Sequence, residues 1–386
     1  MKKCLAFTLA LALLLPLPTF ALETAGSGDA PGTVPFESLA ARIEAKSPMM
    51  SAYGELIAAA GAVDREQAYD DLVEANNNLT DVIWAFTQAG ESGAGLALKQ
   101  QQELIKDQLE AYTPENYEKT YNDLVKPLEA LKGRLICGAE SLYLSIAALE
   151  TDIEKGKAGL DTLERTFKET LLLSSLGRAS SLSCEEAKTA RDAAASRLDA
   201  LNAKRDSMKA QLQALIGEPP TGKITLAPVP EVTQEELSSA QYDADLAAGM
   251  EASCDIYLAQ SAVTDAKKTW KDAESYEKKS AEHSYNAAVF TLDAKKQAFR
   301  QSFDAVYRGI GTAQTALTAA REALAFQQKV YDAAALRYSL GLISKSALLS
   351  AGEALAEAKL TVQSARLGLS SAFLTYSWAR RGVLPA

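Results

Sequence analysis

The chain has 386 residues, 47% of them apolar but only 7% aromatic, and a formal net charge of −10. An acidic chain without a basic stripe gives no electrostatic footing for nucleic acid. Ala, Leu, Glu and Lys dominate, and Gly and Pro are scarce between residues 36 and 215, the balance of long helices and coiled coils, so the expected class is all-α.

The N-terminus opens with Lys2 and Lys3, an apolar run and the small-x-small stretch Thr19-Phe20-Ala21. This predicts a secretory signal peptide over 1–21 and a flexible N-terminal segment over 22–35, with Cys4 too early to be a lipidation site. The mature chain is therefore expected outside the cytoplasm, in the cell envelope, with a charge of −12 once both lysines are lost. No later stretch approaches the ~18 consecutive apolar residues of a membrane helix.

The rest of the chain reads as a duplication. LAARIEAKSP from Leu39 aligns with LAAGMEASCD from Leu246 at an offset of 207. Further along the offset is 164, placing Tyr143 on Tyr307, Phe167 on Tyr331, Leu176 on Leu340, Gly177 on Gly341 and Ser180 on Ser344. About 43 extra residues thus lie in the first half, between 61 and 142. The expected organisation is a first helical repeat over 36–216, a Pro/Gly-rich linker over 217–235 and a second helical repeat over 236–386.

Within each repeat apolar residues recur in alternating steps of three and four. Ile146, Leu149, Ile153, Gly156, Leu160, Leu163 and Phe167 lead into Gly177; Ala194, Leu198, Leu201, Arg205, Met208, Leu212 and Leu215 lead away. The second repeat runs Phe299, Phe303, Val306, Ile310 and onward to Tyr338, then from Leu348 to Tyr376. A period of 3.5 held this long predicts supercoiled helices packed knobs-into-holes. Each glycine is expected to end a helix in a left-handed conformation, with Ser180 and Ser344 capping the next. The result is two tandem long antiparallel coiled-coil hairpins with tips at 174–182 and 338–346.

Duplicated hairpins with tips SSLGRASS and YSLGLISKSALL resemble the TolC family of outer-membrane efflux proteins, whose hairpin turns read aromatic-x-x-Gly-hydrophobic-x-Ser/Thr. Tyr338, Gly341, Leu342 and Ser344 match that pattern; the first tip has Ser174 and Arg178 where an aromatic and an aliphatic residue are usual. The resemblance implies a homotrimeric tunnel of twelve helices that docks a membrane-fusion adaptor protein attached to an inner-membrane pump and passes substrate across the envelope. It makes Leu176, Gly177, Arg178, Ser180, Leu340, Gly341, Leu342 and Ser344 the adaptor-docking positions. The family also inserts a β-hairpin between the helices of each repeat, closing a membrane barrel in the trimer. Here only 285–292 (YNAAVFTL) offers a strand, and 79–98 a β-hairpin, so little or no β-barrel is expected. The alternative is a secreted coiled-coil scaffold or spacer without transport activity.

No catalytic, cofactor or metal site emerges. His283 is the sole histidine and reads as a polar helix residue; the run GESGAG (90–95) lacks the strand and spacing of a phosphate loop. Glu185-Glu186 and Glu235-Glu236 fit helix starts. Cys137, Cys184 and Cys254 lack metal spacing and read as small apolar residues, or, for Cys184 and Cys254, as a pair under oxidation.

Overall fold

The computed structural model describes residues 33–88 and 92–384; the expected signal peptide lies outside them. Among the described residues are eleven α-helices and two strands of two residues each, and no β-barrel. The four longest helices set the architecture: α5 (Pro114–Ser175), α6 (Ser181–Leu215), α10 (Lys278–Ser339) and α11 (Lys345–Ala379). Helices α5 and α10 each hold 62 residues, α6 and α11 each 35, and every boundary in the second pair falls 164 residues after its counterpart. At ~1.5 Å per residue these are rods of about 93 and 53 Å.

The 3-4 alternation explains the pairing. From Phe299 to Tyr376 each seam position is buried or half-buried, apart from Tyr338, which is 41% exposed at the very end of its helix. The seam from Ile146 to Leu215 is likewise covered. Helix α5 packs on both α6 and α11, and α11 on both α5 and α10, giving the order α6–α5–α11–α10. Three bonds fix the antiparallel register of α5 on α11: Trp378 Nε1 donates to Glu140 Oε2 (2.6 Å), Lys155 Nζ to Ser364 Oγ (2.8 Å), and Arg165 pairs with Glu353 (2.6 Å).

At the end remote from the turns, smaller elements close each pair. Helix α1 (Leu39–Lys46) buries Leu39 and Ile43 beside Tyr143, Leu212 and Ile216. Helix α8 (Tyr242–Ala252) packs by Phe299, Tyr376 and Ala379. Each sits against a glycine past an outgoing helix: Gly217 (φ 70°) faces the Lys46 carbonyl and Gly382 (φ 80°) the backbone of Ala252. In both, a Cβ would collide with backbone, so glycine is required twice over, by conformation and by space.

The expected flexible segment holds strand β1 (Thr33–Val34), parallel to β2 (Thr225–Leu226) of the linker. Tyr143 Oη donates its proton between the carbonyls of Val34 (2.8 Å) and Ala227 (2.7 Å), and burial pushes its phenol up to about 12. In the second half the buried Asp245 carboxylate accepts from Tyr376 Oη and from the Gln241 amide (2.8 Å), and pairs with Arg380 (3.0 Å). Thr233 and Glu236 form a reciprocal capping box on the short α7 (Gln234–Ser238), so those carboxylates serve a helix start.

Two expectations fail and one alternative is ruled out. Residues 79–98 are no β-hairpin: α3 (Arg65–Gln88) and α4 (Ser92–Ala111) are helices packed on one another, with Leu79, Ile83 and Phe86 the covered positions of one face of α3. This helical hairpin occupies the region of the extra residues of the first half. Residues 285–292 are no strand either, because α10 runs unbroken from Lys278 and Leu292 belongs to its buried seam. Cys184 and Cys254 cannot pair. Cys184 lies against Thr170 and Cys254 beside Arg134, positions roughly 50 Å apart along α5. All three described cysteines are free and half-buried.

Candidate functional site

Each hairpin turns through the same six-residue device. At the end of α5 the Gly177 amide donates to the Ser174 carbonyl (2.9 Å) and the Arg178 amide to that of Leu173 (2.8 Å). At the end of α10 Gly341 donates to Tyr338 (2.9 Å) and Leu342 to Arg337 (2.9 Å). These are Schellman motifs with glycines at φ 70° and 69°. Ser180 Oγ then accepts from the Ser183 amide (3.1 Å) and Ser344 Oγ from that of Ala347 (3.2 Å), satisfying an orphan donor of each outgoing helix. Both glycines are unencumbered: nothing lies within 4 Å of an added Cβ at either position.

The α5–α11 register brings the two turns together. From the Arg165–Glu353 pair, ten residues on along α5 reach Ser175 and ten residues back along α11 reach Ile343. All eight expected docking residues therefore share one end of the molecule. Their apolar members point to solvent: Leu176 is 63% exposed, Leu340 65% and Leu342 69%. Leu172, Leu182 and Leu336, not singled out by sequence reasoning, are exposed to a similar degree. A Schellman motif ordinarily closes an apolar contact between the first residue past the glycine and one five positions earlier. Here those pairs are Arg178 with Leu173 and Leu342 with Arg337, a leucine facing a cation each time, so neither leucine gains that cover.

No protein-family model matches the sequence, and no curated protein matches it. Solved structures do match in shape. CusC, whose crystal structures follow folding and transmembrane channel formation, aligns over 90% of this chain and 95% of its own, at 14% identity and a TM-score of 0.53. The outer membrane protein VceC from Vibrio cholerae aligns over 90% and 96%, at 14% identity and 0.51. The outer-membrane channel OprN aligns over 72% of each chain, at 14% identity and 0.53.

The fold is TolC-like.

Within this TolC-like fold the two outer helices leave one face uncovered. Along α6, Thr189, Ala193, Ser196, Ala200, Ala203 and Ser207 recur in steps of four and three, all exposed. Along α10, Ala305 lies one heptad before Thr312, and Thr312, Ala316, Ala319, Ala323 and the larger Phe326 follow in steps of four and three, all exposed. The 3-4 alternation that exposed the inner seams also carries these stripes in the sequence, where the larger inner residues mask them. Elsewhere the hollows are modest. A cavity of about 410 Å³ lies beneath the linker segment Leu226–Val232, bordered by Glu150, Arg321 and Arg366. Among the described residues no group of three His, Cys, Asp or Glu could hold a metal ion, and no helix is long and apolar enough to cross a membrane.

Proposed function

We propose that the chain is the subunit of a TolC-like export conduit of the cell envelope, which docks a membrane-fusion adaptor through its hairpin tips and passes substrate toward the outside. The observation that carries this reading is the pair of turns set side by side at one end, each holding leucines about two-thirds exposed. Leucines left in water at the end of a rod, where no further helix can cover them, mark an interaction surface. The equal helix lengths and the constant offset support a chain built twice, so that one adaptor-facing device is presented twice per subunit.

The outer stripes support closure into a ring. Helix α6 lies at one edge of the four-helix layer and α10 at the other; α6 presents small residues at heptad spacing, and α10 does so as far as Ala323, ending in the exposed Phe326. An α6 edge laid on the α10 edge of the next copy is a head-to-tail interface, which closes into a ring when the rotation allows. With four long helices per chain, three copies give the twelve-helix tunnel of the family this fold resembles. The inner-membrane pump then lies beyond the adaptor.

The test is the double substitution Leu340→Asp and Leu342→Asp. Both side chains are exposed, so folding and assembly should persist by circular dichroism and light scattering. Export by the producing cell should be lost. Undiminished export would sink the docking reading and leave a coiled-coil spacer, which tolerates polar tips.

A further inference from the structure

Both tips are free of acidic residues and carry exposed cations beside exposed leucines. From Thr170 to Cys184 the sole charged residue is Arg178, and from Ala333 to Gly352 the charged residues are Arg337 and Lys345. Neither window contains an Asp or Glu, in a chain whose net charge is −10. All three cations are exposed, and none takes part in an ion pair among the described residues. Each stands within three residues of an exposed leucine: Arg178 by Leu176, Arg337 by Leu340, Lys345 by Leu342. The Schellman pairs account for part of this: with a cation at one position of each pair, Leu342 and both arginines stay facing outward.

We infer that the partner of the tips is a protein end that places carboxylates around an apolar centre, seating Leu176, Leu340 and Leu342 in the middle and Arg178, Arg337 and Lys345 at the rim. This rests on the docking reading above and adds to it the chemistry of the partner. Free rim cations favour encounter with an acidic surface and penalise a basic one, while the leucines hold the complex once formed. An anionic bilayer fits less well. Stable attachment of that kind draws on clusters of roughly four to eight basic residues, usually with Trp or Phe at the interface. The cations of the proposed ring would number enough for such a surface, but neither aromatic type occurs in the two windows to seat them in the interface.

The experiment uses the full chain and three probes: an antiparallel helical-hairpin peptide with leucine flanked by two glutamates in its loop, the same peptide with two lysines, and vesicles of phosphatidylcholine and phosphatidylglycerol. Titration calorimetry should show the glutamate hairpin binding at least roughly tenfold more tightly than the lysine hairpin, the preference shrinking as salt rises to roughly 0.3 M. The triple variant Arg178→Glu, Arg337→Glu, Lys345→Glu should reverse it, and Arg178→Gln alone should weaken it. Equal binding of both hairpins, binding of neither, or binding of vesicles only overturns the acidic-partner inference. Failure of docking itself reads differently, as export indifferent to Leu340→Asp and Leu342→Asp. Export lost in that double variant but retained in the triple variant keeps docking and removes the acidic rim.

Discussion

Two glycines with almost the same backbone conformation should respond very differently to alanine. Gly341 has φ 69° and Gly217 φ 70°, so the left-handed conformation costs each substitution about 1 kcal/mol. At Gly341 nothing lies within 4 Å of the new methyl, and the cost should end there. At Gly217 the methyl would stand 2.2 Å from the Lys46 carbonyl oxygen and 2.9 Å from its carbon, both backbone atoms at the end of α1. Relief requires α1 to lift, and α1 carries the fully buried Leu39 and Ile43. Partial loss of two such side chains brings the total to about 3–5 kcal/mol, the scale of a large-to-small core substitution. Urea unfolding followed by far-ultraviolet circular dichroism measures both, with Gly341→Asn expected near wild type. Equal destabilisation by Gly217→Ala and Gly341→Ala would refute the packing of α1 on Gly217 as the reason glycine stands there.

Three further outcomes follow from particular bonds. Tyr376→Phe removes a hydrogen bond to the buried Asp245 carboxylate and should cost about 2 kcal/mol by the same assay; a neutral result would show that Arg380 and the Gln241 amide suffice alone. Glu353 accepts from Arg165, which holds its carboxyl below the usual range with help from Thr162. Its contribution is therefore present above the unfolded carboxylate pKa and lost as pH falls through the depressed folded value, so the stability gap between wild type and Glu353→Gln should close on acidification; a gap indifferent to pH would contradict the link. Arg205 occupies a seam position of α6 and reaches back to its neighbour Asp206 (2.7 Å), a pair of little worth, so Arg205→Leu should raise the unfolding midpoint, and a fall would mean the seam has no room for it.

The long hairpins were readable because their evidence repeats. A 3-4 alternation sustained from Phe299 to Tyr338 overwhelms local ambiguity, and a glycine followed three residues later by serine gives both the stop and the next start. The stretch 79–98 misleads for the opposite reason. Val82, Ile83, Trp84 and Phe86 are β-formers by type, and a single apolar run beside a glycine-rich sequence suits either period. What decides for helix is the packing of α3 on α4, with Leu79, Ile83 and Phe86 covered, a tertiary fact. Strands β1 and β2 were beyond reach: two residues hold no period, and their partners lie 192 positions apart. The tips illustrate a middle case. Their glycines and serines were plain in the sequence, but the exposure of Leu172, Leu182 and Leu336 depends on how two hairpins stand beside one another.

The common register of α5 and α11 also governs how such a molecule can change length. Inserting one heptad into α5 and α6 alone would push the first turn about 10 Å beyond the second and present a stepped end. Level turns survive only if the same seven residues enter α10 and α11 as well. The 62- and 35-residue helices are equal across both halves, as level turns require. A change in the span between the two ends of the subunit thus keeps both seams and level turns only when whole heptads enter all four long helices together.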